Sequence, residues 1–327
     1  MSIGKLRGLQ QIATANGLFI ICALDHRGSM RNLLKEKANI DATYDAMVDY
    51  KMELCQIIIP FASGILLDPI YGAAQSIAQG ILPGSAGLLI SLEATGYETR
   101  GRGRITSVLK DWSVEKIKRM GASAVKMLVY YRPDMGAVTK KQLQTVLNTA
   151  KDCIRNDIAF LVEPLSYPTE TRGSAEYFAT RKTDIVIETA RQMTAMPIDV
   201  LKAEFPADME IEKDRGKLLD ACQRLNDASA KPWVLLSAGV SYEVFRSQVE
   251  IACQAGASGF LGGRGIWQDA LSYTDRQERI KYLKTVVVNR LKELAEITHK
   301  YAKPWHLKAN RKPSQLAKVT QDWYIKY

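Results

Sequence analysis

Two lysines and a glutamate stand in this chain where charge is expensive. Lys202 ends a short apolar run in Ile198-Asp199-Val200-Leu201-Lys202, Lys126 lies inside the run 124–129, and Glu163 closes the run 158–162. An ionised group on a short apolar strand either shifts its pKa or finds a partner. A lysine held as the free amine attacks carbonyl carbons to form Schiff bases. Taken singly, each lysine has a plainer reading, with its stem along the core and its head in water. Three ionisable residues on three separate strand-like runs point instead to one site assembled at the end of a sheet.

The chemistry these residues permit is specific. Lys202 can attack a ketone only when unprotonated, and desolvation together with the cation Lys126 would favour that form. Glu163 can shuttle protons through carbinolamine formation and dehydration, and can act as base in carbon–carbon cleavage. Asp25 is positioned to orient Lys126 or a substrate hydroxyl, and Arg27 to meet a second anionic group; the alternative for Asp25-His26-Arg27 is a surface turn. Ser237-Ala238-Gly239-Val240 and Leu261-Gly262-Gly263-Arg264 together read as a phosphate cradle, in which glycines admit backbone amides and Arg264 adds a bidentate contact. A zinc-dependent mechanism would need several His or Cys ligands, whereas the chain has only His26, His299 and His306. We expect no metal and no cofactor, although a magnesium site built from Asp25, Asp68 and Glu93 stays open.

The elements that must position these groups are legible as alternation. Candidate strands at 18–24, 64–67, 87–91, 124–129, 158–162, 200–201, 233–237 and 259–261 are separated by amphipathic stretches such as 44–58, 113–120, 140–154, 183–193, 213–228 and 242–255. Strands alternating with helices imply parallel pairing through right-handed crossovers, and eight such units without a linker favour a closed (β/α)8 TIM barrel over an open doubly wound sheet. In a barrel the C-terminal strand ends meet around one mouth, where active sites sit. Asp25, Asp68, Glu93, Glu163, Lys202, Ser237 and Gly262 fall at or just past strand ends, and Lys126 lies within the fourth strand. We expect a single barrel domain over 1–300, its terminal helix at 276–298, and a basic C-terminal extension over 301–327.

Composition narrows the class. The chain has 327 residues, a formal charge of +10, and no run near the ~18 apolar residues of a membrane span. Its N-terminus lacks the apolar core of a signal peptide, so a cytoplasmic protein without membrane association is expected. Five scattered cysteines with no Cys-x-x-Cys pair argue against secreted disulfides and structural zinc. The positive charge admits two readings, an anionic partner or a merely soluble surface, the latter being the commoner case for a metabolic enzyme. Basic residues gather only near the C-terminus, where Lys303, Lys308, Arg311, Lys312, Lys318 and Lys326 stand beside Trp305 and Trp323, a segment suited to docking or subunit contact. No nucleic-acid motif accompanies it, so no nucleic-acid partner is expected; a homo-oligomer is.

Seven stretches in order resemble the class I tagatose 1,6-bisphosphate aldolases. They are Ala23-Leu24-Asp25-His26-Arg27-Gly28, Leu66-Leu67-Asp68-Pro69-Ile70-Tyr71-Gly72, Val125-Lys126-Met127-Leu128-Val129-Tyr130-Tyr131, Leu161-Val162-Glu163-Pro164, Asp199-Val200-Leu201-Lys202, Leu236-Ser237-Ala238-Gly239-Val240 and Gly259-Phe260-Leu261-Gly262-Gly263-Arg264. The resemblance implies a (β/α)8 barrel that cleaves a ketohexose bisphosphate, of tagatose or fructose configuration, to dihydroxyacetone phosphate and glyceraldehyde 3-phosphate. It implies Lys202 as Schiff-base lysine, Glu163 as proton shuttle, Lys126 and Asp25 in the same site, and Ser237, Gly239, Gly263 and Arg264 around the 1-phosphate. The chain departs at His26, where the family pattern more usually has glutamine. The related sulfofructose 1-phosphate aldolases share the lysine chemistry but recognise a sulfonate at carbon six of the substrate. A third reading is a catalytically silent barrel that senses a phosphorylated sugar.

Overall fold

In the computed structural model, which describes residues 1–169, 174–309, 315–325 and 327, the apolar runs become strands in the expected order. They are β1 (Phe19–Leu24), β2 (Gly64–Leu67), β3 (Gly87–Ser91), β4 (Glu98–Arg100), β5 (Gly103–Ile105), β6 (Ala124–Tyr130), β7 (Ala159–Leu165), β8 (Val200–Ala203), β9 (Trp233–Leu236) and β10 (Gly259–Gly262). Eight of these close a parallel barrel in the order β1-β10-β9-β8-β7-β6-β3-β2, while β4 and β5 pair antiparallel as a separate hairpin. The barrel is therefore a (β/α)8 fold, as the alternation predicts.

β6, β7 and β8 run past the apolar stretches that mark them in the sequence. Their backbone pairing continues through charged residues, with Ser91 beside Lys126 and Lys202 beside Val234. A ladder is made by main-chain groups, so it does not stop where hydrophobicity does. Strand alternation then sorts the side chains. Phe19, Ile21, Leu66, Leu89, Ala124, Ala159, Leu161, Val200, Val234 and Leu261 form one buried cluster, distinct from the larger one that their alternate neighbours share with the helices. Two residues further along the same alternation come Lys126, Glu163 and Lys202, at the upper end of that inner file.

The base of the barrel is closed by elements the sequence pattern did not mark. The helix Ile3–Ile12 buries Leu9 and Ile12 in the inner cluster, joined by Trp305 and Leu316 from the C-terminal segment. That segment follows the helical run Arg276–Tyr301, which passes through a wider π-helical turn at Leu283–Val287. It crosses the base through Lys303 N–H to Ala257 O, Trp305 N–H to Gly17 O and Lys308 Nζ to Asn226 O. The described part of the basic extension thus packs at the end opposite the mouth, with Lys318 exposed; Arg311, Lys312 and Lys326 lie outside the described residues. All five cysteines are free and buried, and no helix among the described residues is long and apolar enough to cross a membrane.

Candidate active site

A cavity of about 350 Å3 opens among the C-terminal strand ends, lined by residues that include Asp25, Glu93, Lys126, Glu163, Lys202 and Arg264. This volume suits a small ligand rather than a macromolecule. Lys126 and Lys202 are 1% and 4% exposed, so their ammonium groups depend on protein partners. The Lys126 ammonium meets Asp25 at 2.7 Å, Glu93 at 2.6 Å and Glu163 at 2.8 Å. Glu163 bridges the two lysines, reaching Lys202 with its other oxygen at 2.8 Å. The expected pair of neighbouring cations therefore has a carboxylate between its members, and that carboxylate is one proton transfer from each amine.

The charge states follow from this packing. Burial pushes Asp25 up, but Lys126, Lys202 and His26 outweigh it and hold the carboxyl well below its usual range. Glu163 is likewise lowered, because Lys126 and Lys202 outweigh its desolvation. Burial lowers Lys126, yet Asp25, Glu163 and Glu93 together raise it well above the ordinary lysine value. Lys126 is thus a fixed cation that holds three carboxylates in one cavity. His26 is brought down to about 3, first by burial and then by Arg264, Lys202 and Lys51, against the opposing pull of Asp25. It is a neutral imidazole at ordinary pH.

Asp25-His26-Arg27 lines the cavity and is not a surface turn. The His26 ring packs edge-on against Trp267 with centroids 5.2 Å apart, and Trp267 is anchored by its indole N–H to Ala23 O at 3.0 Å. Arg27 is buried and donates through Nη2 to Glu93 O at 2.6 Å. Glu93 is placed at the mouth by its position just after the third apolar run, but sequence reading assigned it a chemical part only in the magnesium alternative and did not mark its contact with Lys126. Lys51 was missed altogether. It pairs with Asp68, both side chains being wholly buried, and also donates to Leu24 O at 2.6 Å, next to Asp25. The signal was a lysine on the apolar helical stripe Met47, Cys55, Ile58.

These contacts bear on the magnesium alternative and on the phosphate cradle. Asp68 is committed to Lys51 and, through Oδ1, to the amides of Ile70 and Tyr71, so it does not join Asp25 and Glu93 around a cation. Among the described residues no group of three or more His, Cys, Asp or Glu side chains is disposed to hold a metal ion. The phosphate-cradle segments converge, but unequally: the cavity lining includes Arg264 and not Ser237, Gly239, Gly262 or Gly263. The Gly263 amide already donates to Ser237 Oγ at 3.2 Å. A Cβ at Gly263 would stand 2.5 Å from His26 Cε1, and one at Gly239, where φ is +80°, would stand 3.0 Å from the Arg264 guanidinium carbon. These glycines make room for His26 and Arg264, and Gly262 does the same for Phe245 at 2.7 Å.

Four buried polar atoms on cavity-lining residues have no hydrogen-bond partner among the described residues: His26 Nδ1, Arg27 Nη1, Glu93 Oε2 and Arg264 Nε. Buried polar groups of this kind call for hydrogen-bond partners, and a polyhydroxylated anion would supply them.

Fold and site together define a (β/α)8 barrel whose mouth holds two carboxylate-bridged lysines flanked by arginines. The family model described as DeoC/LacD family aldolase matches residues 19–269, and the chain belongs to that aldolase family. It is 32% identical over 320 residues to the tagatose 1,6-diphosphate aldolase of Lactococcus lactis subsp. lactis, covering 92% of this chain and 97% of that protein. A Streptococcus agalactiae tagatose 1,6-diphosphate aldolase is 31% identical over the same shares. Similar folds include an archaeal fructose 1,6-bisphosphate aldolase (TM-score 0.60, 19% identity, 88% of this chain and 99% of that one). The Plasmodium falciparum fructose-bisphosphate aldolase is similar as well (TM-score 0.69, 16% identity, 91% and 94%).

Proposed function

We propose that the protein is a metal-independent class I aldolase that reversibly cleaves a ketohexose 1,6-bisphosphate, of tagatose or fructose configuration, to dihydroxyacetone phosphate and glyceraldehyde 3-phosphate. The observation that carries this reading is the Glu163 bridge, with Lys202 and Lys126 each 2.8 Å from one of its oxygens inside a cavity edged by Arg27 and Arg264.

Proton transfer from Lys202 to Glu163 frees the amine, which attacks the C2 ketone and forms the carbinolamine. Glu163 then donates a proton to the departing hydroxyl, and water leaves as the iminium forms. With the iminium as electron sink, the C3–C4 bond breaks as Glu163 takes the proton of the C4 hydroxyl. The products of this step are an aldehyde and a Lys202-bound enamine. Protonation at C3 and hydrolysis release dihydroxyacetone phosphate and regenerate the amine. Lys126 keeps its charge throughout, holding Glu163 and Asp25 in place, and Asp25 faces the substrate hydroxyls. Arg264, backed by the Ser237–Gly263 contact and the space at Gly239, takes the 1-phosphate, and Arg27 the opposite end of the substrate. We read residues 1–300 as one domain with an extension over 301–327, acting in the cytoplasm as a homo-oligomer through exposed barrel helices.

Borohydride trapping with dihydroxyacetone phosphate in the presence of chelator, followed by peptide mapping, tests this reading. The expected result is a covalent adduct on Lys202 that is lost in Lys202→Met. Dihydroxyacetone phosphate that binds without giving an adduct would favour a silent sensor, and turnover abolished by chelator would favour a metal-dependent lyase.

A further inference from the structure

The hairpin β4–β5, inserted between β3 and β6, carries an arginine with an unusual set of neighbours. The Arg104 guanidinium carbon lies 4.5 Å from the ring centroid of Tyr97, 4.7 Å from that of Tyr167 and 5.9 Å from that of Tyr130. Its main chain is pinned on both sides: Arg104 N–H donates to Tyr167 Oη at 3.1 Å, and Arg104 O accepts from Gln142 Nε2 at 3.4 Å. Yet the guanidinium itself makes no hydrogen bond or ion pair with any described residue. Arg132, Arg279 and Arg290 also sit over aromatic rings, and each is paired with a carboxylate: Asp134, Glu53 and Asp269 respectively. Rings covering the faces of a guanidinium leave its in-plane N–H donors, the ones that grip oxyanions in a fork, free for a ligand.

Its place in the barrel says which ligand group. Arg264 follows β10, and the strand facing β10 across the closed ring is β6. Tyr130 ends β6, lines the cavity and packs against Tyr97 with centroids 4.7 Å apart. The segment from Glu93 to Tyr97 links this corner to Arg27, whose guanidinium rests on Glu93 O. A substrate with one anionic group at Arg264 and its ketone at Lys202 would extend its far end toward Arg27 and Tyr130, and Arg104 stands behind Tyr130, beside the residues that line the cavity rather than among them.

We propose that Arg104 is a specificity-determining residue: from the rim opposite Arg264 it recognises the tetrahedral oxyanion on carbon six of the ketose, whether phosphate or sulfonate. This rests on the aldolase reading above. The three tyrosines hold the guanidinium rigid and partly dry, so the discrimination is between a charged and an uncharged carbon six.

The test compares wild type, Arg104→Met and Arg104→Lys on a ketohexose 1,6-bisphosphate, the corresponding 6-sulfo ketose 1-phosphate and the plain ketohexose 1-phosphate. In Arg104→Met the kcat/KM ratio of the preferred 6-anionic substrate to the plain 1-phosphate should fall by about tenfold or more. Arg104→Lys, which keeps the charge but not the planar fork, should recover part of it. Whichever 6-anionic substrate shows the collapse identifies the oxyanion. The proposal is overturned if the ratio is unchanged, or if all activities fall together with loss of dihydroxyacetone phosphate trapping on Lys202 in both variants, since that marks a brace. Failure of trapping in wild type would sink the aldolase reading itself.

Discussion

The Lys126 ammonium is the electrostatic centre of the site, and the His26 imidazole lines the same cavity. Three carboxylates within 2.8 Å of one buried ammonium form a network that stands only while every member keeps its charge. His26 is held near 3 against an ordinary 6.5. Below pH ~6.5 the unfolded chain binds a proton on this residue that the folded chain refuses, so stability falls as pH drops from there toward the folded value. Asp25 and Glu163, whose folded pKa values are depressed, extend the loss at lower pH, because their stabilising charge is present above the unfolded value and disappears as pH falls through the folded one. Thermal melts between about pH 7 and pH 4.5 should therefore show a falling Tm, with a shallower fall in His26→Gln. Equal slopes in the two proteins would show that His26 is not responsible.

At the scale of elements, the mouth and the base of the barrel are separable. The helix Ile3–Ile12 and the segment around Trp305 plug the lower end, where Leu9 is 1% and Trp305 5% exposed. Truncating a buried side chain of this kind costs about 2–5 kcal/mol through lost burial and a residual cavity. Leu9→Ala and Trp305→Ala should each lower stability by roughly that amount in urea titrations while leaving Lys202 trapping per folded molecule unchanged. Trapping lost without a change in stability would mean that base and mouth are coupled. Neither plug was marked by strand–helix alternation, since a capping helix contributes no strand and the tail contributes single anchors. The hairpin β4–β5 was missed for a related reason: three-residue strands, one wholly exposed, carry too short a period to read.

For the molecule as a whole, charge should govern encounter. The chain carries a formal +10, and the cavity lining sets Arg27, Lys126, Lys202 and Arg264 against Asp25, Glu93 and Glu163. An anionic substrate is steered toward such a mouth, and steering weakens as salt shortens the Debye length from ~30 Å at 0.01 M to ~8 Å at 0.15 M. Cleavage assays across that range should show kcat/KM decreasing with salt while kcat changes little. A salt-independent kcat/KM would place recognition wholly in short-range contacts.

By itself, the sequence determined the barrel and the chemistry it can carry. Parallel strands alternating with helices admit few topologies, and Asp25, Lys126, Glu163 and Lys202 stand out because ionisable residues in apolar strands must be accounted for. Tertiary structure alone decided how those charges pair. That Glu163 bridges both lysines, that Glu93 joins Lys126, and that Asp68 belongs to Lys51 all depend on which strands are neighbours and which helix packs beneath them. So does the packing of Arg104 among Tyr97, Tyr130 and Tyr167. Pairing in a closed barrel joins residues distant in sequence, with Lys126 and Asp25 101 positions apart, and no local pattern encodes such a distance.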